Sequence, residues 1–217
     1  MPFDRVLDLH GVHNLRDCGG YAVAGGGRLK RGVLWRSGQH VGATDADLEV
    51  IAGLGLTSVF DLRSAHERTV NPCRRPAGFV AEVIVPDEDP KPGESLVPAA
   101  PHLAAAKAVV RRDAAGARES MRANYHRIAF RAGLVTMVRR YIETAAAGGG
   151  PVLVNCMAGK DRTGIAVAML HHVAGVHRDD ILADYLLTNT AGDIDAEIER
   201  RCWPSAAGAR SAATSPV

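Results

Sequence analysis

Residues 152–170 read VLVNCMAGKDRTGIAVAML, an apolar run, a short loop containing one glycine, and a second apolar run. The first run is β-branched and short enough for a buried strand, and the second carries the composition of a helix that opens at Thr163 and Gly164. Between them Cys156 and Arg162 stand six positions apart, with Met157, Ala158, Gly159, Lys160 and Asp161 as the turn. In such a strand–loop–helix the backbone N–H groups converge on one point, and the positive end of the helix dipole lies behind them. Residues 157–163 therefore read as a cradle for a dianionic phosphate, to which Arg162 adds a planar, two-pronged donor. The same field favours Cys156 as thiolate, the reactive form of a cysteine. Attack on phosphorus gives a cysteinyl-phosphate that water resolves in a second step. That route needs neither a metal nor an organic cofactor.

Working outward, 217 residues suffice for one substantial core. The expectation is a single catalytic domain over 1–203 and a small, polar, disordered tail over 204–217. A formal net charge of +2 is too small to imply nucleic acid as a partner. The apolar run at 164–170 is far short of the roughly 20 residues that a membrane span needs. Asp4, Arg5 and Asp8 occupy the place of a secretory apolar stretch, so the expected location is cytoplasmic. Four cysteines, Cys18, Cys73, Cys156 and Cys202, lack CxxC or zinc-ligand spacing. Cys18 and Cys73 read as buried thiols, with a reversible disulfide to Cys156 as the other reading. His171 and His172 diverge by about 100° on a helix and have no third ligand at suitable spacing, so no metal site is expected.

The alternation of apolar runs with helical periodicity indicates an α/β sandwich, a central sheet flanked by helices. Strands are expected at 33–36, 57–62, 80–85 and 152–155. Thr44 with Asp47 starts a helix that Gly53 and Gly55 end, and Ser64 caps a short one containing Glu67 and Arg68. The proline-rich stretch 86–101 reads as an irregular excursion, and residues 86–120 as a lid insertion. A long helical pattern, Met121 to Ile142, follows, and Gly133 kinks or divides it. Two further helices fit 178–189 and 192–202.

The run GKDRTG after the cysteine, with DYL at 184–186, resembles the bacterial tyrosine-phosphatase family of cysteine-dependent enzymes. NLRDCGGY at 14–21, LWRSG at 34–38 and VFDLRSAHE at 59–67 resemble further motifs of that family, so the likeness covers about residues 12–203. It implies a cysteine-phosphatase fold with a mainly parallel sheet and the phosphate loop between strand and helix. It further implies Cys156 as nucleophile, Arg162 as phosphate clamp, Lys160 as a loop cation shared with phosphoinositide phosphatases, and Thr163 as an aid to phosphoenzyme breakdown. Two features depart from the pattern. Asn155 stands where the family has His, which predicts a slower enzyme or one with a higher pH range, and the chain is shorter than other members.

Expulsion of an alcohol or phenol needs a proton donor. Asp87, in VPDEDP after the strand at 80–85, is favoured over Asp161, which lies inside the loop beside the bound dianion. Asp61 and Arg63 read as a pair that pins a strand end, and Arg16, Asp17 and Arg36 as ion-paired supports of the loop. The expected activity is phosphomonoester hydrolysis of protein-tyrosine, dual-specificity or phosphoinositide type. The alternatives are a phosphatase for a nucleotide or sugar phosphate, and a pseudophosphatase that binds a phosphorylated partner without turnover.

Overall fold

The computed structural model describes residues 5–87 and 114–191. The helix expected at 192–202 and the tail at 204–217 lie outside these residues, as does most of the stretch read as a lid.

Five strands form one sheet: β1 (Arg16–Asp17), β2 (Leu34–Ser37), β3 (Ser58–Asp61), β4 (Glu82–Ile84) and β5 (Val152–Asn155). Their order is β1-β2-β5-β3-β4, with β1 antiparallel to β2 and every other pair parallel. The last of these five strands in chain order is thus the middle one. Its four residues are all buried, which is why Val152–Val154 read as a continuous apolar run instead of an alternation.

The pleat sends neighbouring residues to opposite cores. Val152 and Val154 join Leu34 and Phe60 in one core, while Leu153 joins Trp35 and Val59 in the other. The second core is closed by Leu48 and Ile51 of α1 (Asp45–Gly53), whose Thr44–Asp47 capping box fixes its start. Ser64 and Glu67 form the equivalent box on α2 (Ala65–Val70). The first core is closed by α4 (Ala132–Ala147) and α5 (Asp161–Val173), through residues such as Met137, Tyr141, Val167 and Leu170. The Tyr141 ring stands edge-on to Phe60 with centroids 5.5 Å apart.

The long helical pattern is two helices, α3 (Ala114–Ile128) and α4. The break falls at Arg131, whose extended backbone caps α4, and Gly133 sits inside the first turn of α4 rather than at the break. The pattern bridged the break because Ile128 and Leu134 feed the same core from either side. After α5 come α6 (Arg178–Leu186) and a 3-10 turn, Leu187–Asn189. Among the described residues, no helix is long and apolar enough to cross a membrane.

The register places Ser37, Asn155 and Asp61 side by side across β2, β5 and β3, the row where the apolar run turns polar. Cys156 is the next residue. It stands at the carboxyl end of a central parallel strand, the position where open α/β sheets hold their ligands.

Candidate active site

Cys156 is 3% exposed and begins a loop that enters α5 at Asp161. The loop's shape is imposed from behind. Gln39 N–H donates to the Met157 carbonyl at 3.0 Å. Arg36 Nη2 and Asn14 Nδ2 donate to the Gly159 carbonyl at 2.9 and 2.8 Å. In a trans peptide the N–H points opposite to the C=O. Anchoring these two carbonyls outward therefore turns the N–H groups of Ala158 and Lys160 the other way, into the hollow of the loop. Asp161, Arg162 and Thr163 supply the first-turn N–H groups of α5, and no side chain caps that helix. The Thr163 hydroxyl is fully buried without a partner among the described residues.

Only glycine fits at 159. Its φ is +65°, and a Cβ there would come within 2.5 Å of the Gly38 nitrogen and the Ser37 carbonyl carbon.

Arg162 leans on Glu67. Its Nη1 donates to Glu67 Oε2 at 2.7 Å and to the Leu62 carbonyl at 3.0 Å, and its Nη2 donates to Glu67 Oε1 at 2.8 Å. A guanidinium has five N–H donors. Among the described residues, the N–H on Nε and the second on Nη2 remain, and these two lie parallel along one edge of the fork. Burial alone would lower the Arg162 pKa, but the Glu67 hydrogen bonds and the Cys156 and Glu67 charges raise it above the ordinary arginine value. Glu67 answers in kind: burial would raise its carboxyl, and the bonds and charge of Arg162 hold it below the usual range. Burial, followed by the charges of Arg162 and Arg127, lowers the pKa of Arg131 at the start of α4.

The two candidate acids have different surroundings. Asp161 is the first residue of α5, its side chain 17% exposed, with Lys160 Nζ 3.5 Å from Oδ1 and the Tyr125 hydroxyl donating to the same oxygen. Asp87 is 77% exposed and pairs at 3.6 Å with Arg140 of α4. It follows β4, two strand spacings or roughly 10 Å from β5.

Beneath the loop, Asp184 of α6 holds Arg16 and Arg36, at 3.4 and 2.9 Å, and all three are buried. Arg16 and Arg36 thus support the loop through an ion pair, as expected. Asp17 does not: its carboxylate accepts from the backbone N–H groups of Gly19 and Gly32 instead.

Comparison with known proteins decides the family. The sequence profile described as tyrosine phosphatase family matches residues 7–212. The chain belongs to the tyrosine phosphatase family. It is 34% identical over 200 residues to the triple specificity protein phosphatase PtpB of Mycobacterium tuberculosis, a match covering 85% of this chain and 69% of that one. It is 33% identical over 183 residues to a Cupriavidus necator chain whose assigned name proposes a tyrosine-protein phosphatase, covering 82% and 61%. Among solved structures, P. aeruginosa TpbA aligns with a TM-score of 0.42 and 16% identity over 84% of this chain and 78% of that one. As a tyrosine phosphatase, the chain is an enzyme of the cysteine-dependent phosphatase kind.

In this phosphatase Asn155 is fully buried, its Nδ2 3.4 Å from Asp61 Oδ1 and its Oδ1 unpartnered among the described residues. Asp61 is held in turn by Arg63 at 2.7 Å, so that pair pins the end of β3. Cys18, Cys73 and Cys156 are free thiols. Cys73 Sγ accepts from Arg63 Nη2 at 3.0 Å and His40 N–H at 3.3 Å, and Cys18 lies in the core, where burial pushes its thiol pKa up. His171 is buried against the Cys18 carbonyl, 2.9 Å from Nε2.

Sequence reasoning missed two contributors. Glu67 was visible only as a helix cap, and the Ser-x-x-Glu spacing that identifies the cap says nothing of its second task on Arg162. Asp184 lay within the quoted DYL motif with no chemistry attached to it.

Proposed function

We propose that this phosphatase hydrolyses phosphomonoesters through a cysteinyl-phosphate on Cys156, with Arg162 as clamp and Asp161 as general acid. The observation that carries the reading is the edge of Arg162 left by Glu67 and Leu62: two parallel N–H donors on a guanidinium near enough to Cys156 for their charges to interact. Two of the three non-bridging oxygens of a phosphoryl group fit that edge, and the loop N–H groups take the third.

In the first step the Cys156 thiolate forms an S–P bond as the P–O bond to the leaving group breaks, and Asp161 delivers a proton to the departing oxygen. In the second, water attacks phosphorus, the Asp161 carboxylate takes its proton, and the S–P bond breaks to return the thiolate. The products are alcohol and inorganic phosphate. Arg131, near enough to Arg162 to feel its charge, adds positive charge to the site, and the Thr163 hydroxyl, without a partner among the described residues, has a hydrogen to assist departure of the thiolate. Asp161 is preferred to Asp87 because it begins the helix that Arg162 also sits on, whereas Asp87 is exposed and engaged with Arg140.

Phosphotyrosine in proteins is the proposed substrate class, supported by the family and by the names of the two relatives; phosphoinositide hydrolysis is the finer extension that Lys160 motivates. The cytoplasmic placement is likewise a proposal, supported by the free thiols. The test is turnover of p-nitrophenyl phosphate, phosphotyrosyl peptides, phosphoinositides and nucleotides. Activity on the aryl esters that vanishes in Cys156→Ser is expected. A nucleotide preference would favour the biosynthetic alternative, and tight phosphate binding without turnover would establish a pseudophosphatase.

A further inference from the structure

Three elements distant in sequence meet at one carboxylate. Tyr125 of α3 donates its hydroxyl to Asp161 Oδ1 at the start of α5, and Tyr185 of α6 is near enough to Tyr125 to help raise its pKa. The ring of Tyr185 lies against Gly164, where a Cβ would come within 2.5 Å of it. Asp161 and Gly164 are three apart on one helix and share a face, so the ring of Tyr185 packs along the face that presents the acid. The residue before it, Asp184, is fixed beneath the loop by Arg16 and Arg36.

The contacts on Asp161 are one-sided. Both Lys160 Nζ and the Tyr125 hydroxyl address Oδ1. Among the described residues, nothing addresses Oδ2.

We infer that Tyr125, braced by Tyr185, is a positioning residue that fixes Asp161 with Oδ1 as acceptor, so that the transferable proton sits on Oδ2 and faces the leaving group. Burial, followed by the charge of Asp161 and the hydrogen bond to it, raises the Tyr125 pKa above its ordinary value, which keeps the phenol a donor throughout the working pH range. This rests on the assignment of Asp161 as the acid and adds the group that orients it.

The experiment compares kcat/KM for two aryl esters in the full-length chain: phenyl phosphate, whose leaving group needs a proton, and dinitrophenyl phosphate, whose leaving group does not. Tyr125→Phe and Tyr185→Phe keep the rings and remove only the hydroxyls, and Asp161→Asn serves as the reference. General acid catalysis contributes roughly 10²–10⁴-fold. Loss of orientation is expected to cost about tenfold of this on phenyl phosphate in Tyr125→Phe, less in Tyr185→Phe, and almost nothing on dinitrophenyl phosphate. An equal loss on both esters would make the tyrosine structural and overturn the inference, as would no loss on either. If Asp161→Asn discriminates between the esters and Tyr125→Phe does not, the inference alone fails. If Asp161→Asn does not discriminate, the acid assignment fails and takes the inference with it.

Discussion

Arg162 commits three N–H donors to Glu67 and Leu62 before any substrate is present, so its orientation is fixed by a residue in another helix. Glu67→Gln keeps one acceptor and loses the charge and the second one. Swinging a clamp by about 1 Å costs on the order of 10²-fold, so kcat/KM on aryl phosphates is expected to fall by that order while the fold persists by circular dichroism. An unchanged kcat/KM would show that the loop alone orients Arg162. Asn155 is the other residue whose chemistry is local. An imidazole in its place could donate to Asp61, where the amide makes only a 3.4 Å contact, and the unpartnered Oδ1 would be gone. Asn155→His is therefore expected to raise turnover somewhere between about pH 5 and pH 8, and a flat response across that range would remove the idea.

At the scale of elements, the phosphate loop is a piece of backbone held from outside by β1, β2 and the segments that precede and follow them. Gly159→Ala tests that hold. The left-handed φ costs about 1–2 kcal/mol for an L-residue, and the Cβ would collide with the Ser37–Gly38 backbone. Weaker competitive inhibition by inorganic phosphate and a lower melting temperature are expected together; unchanged phosphate affinity would mean that the Gly159 carbonyl is not what shapes the cradle. The strands around this loop and the helix after it were legible because each is a short apolar or periodic run bounded by a cap or a glycine: Thr44 and Ser64 both carry the capping boxes that their spacing predicts. The division between α3 and α4 was misplaced because sequence periodicity records which side is apolar and not where the axis turns. The proposed preference for Asp161 over Asp87 rests on side-chain surroundings, the exposure of Asp87 and its pairing with Arg140, which the sequence does not carry.

For the molecule as a whole, Asp184 ties α6 to β1, β2 and, through Arg36, to the loop. It compensates two guanidinium groups that are otherwise buried. Removing one partner of such a set costs roughly 3–5 kcal/mol, so Asp184→Asn is expected to lose that much in denaturant unfolding at neutral pH. Burial alone would raise the Asp184 pKa, and Arg36 and Arg16 outweigh it, so the carboxyl titrates below its ordinary value. The stabilisation is then fully present above the unfolded carboxyl value of about 3.9 and is lost as pH falls through the lower folded one. The gap between wild type and variant should close in strong acid, and a gap that is constant with pH would show that packing, not charge, is responsible. This long-range arrangement was invisible in sequence because Arg16, Arg36 and Asp184 are separated by up to 168 residues.

The central claim is a covalent intermediate on one named sulfur. Mixing the enzyme with a radiolabelled aryl phosphate, quenching within milliseconds in acid and mapping the peptides should place the label on Cys156, with none in Cys156→Ser. Turnover in Cys156→Ser at the wild-type rate, or label on any other residue, would contradict the account.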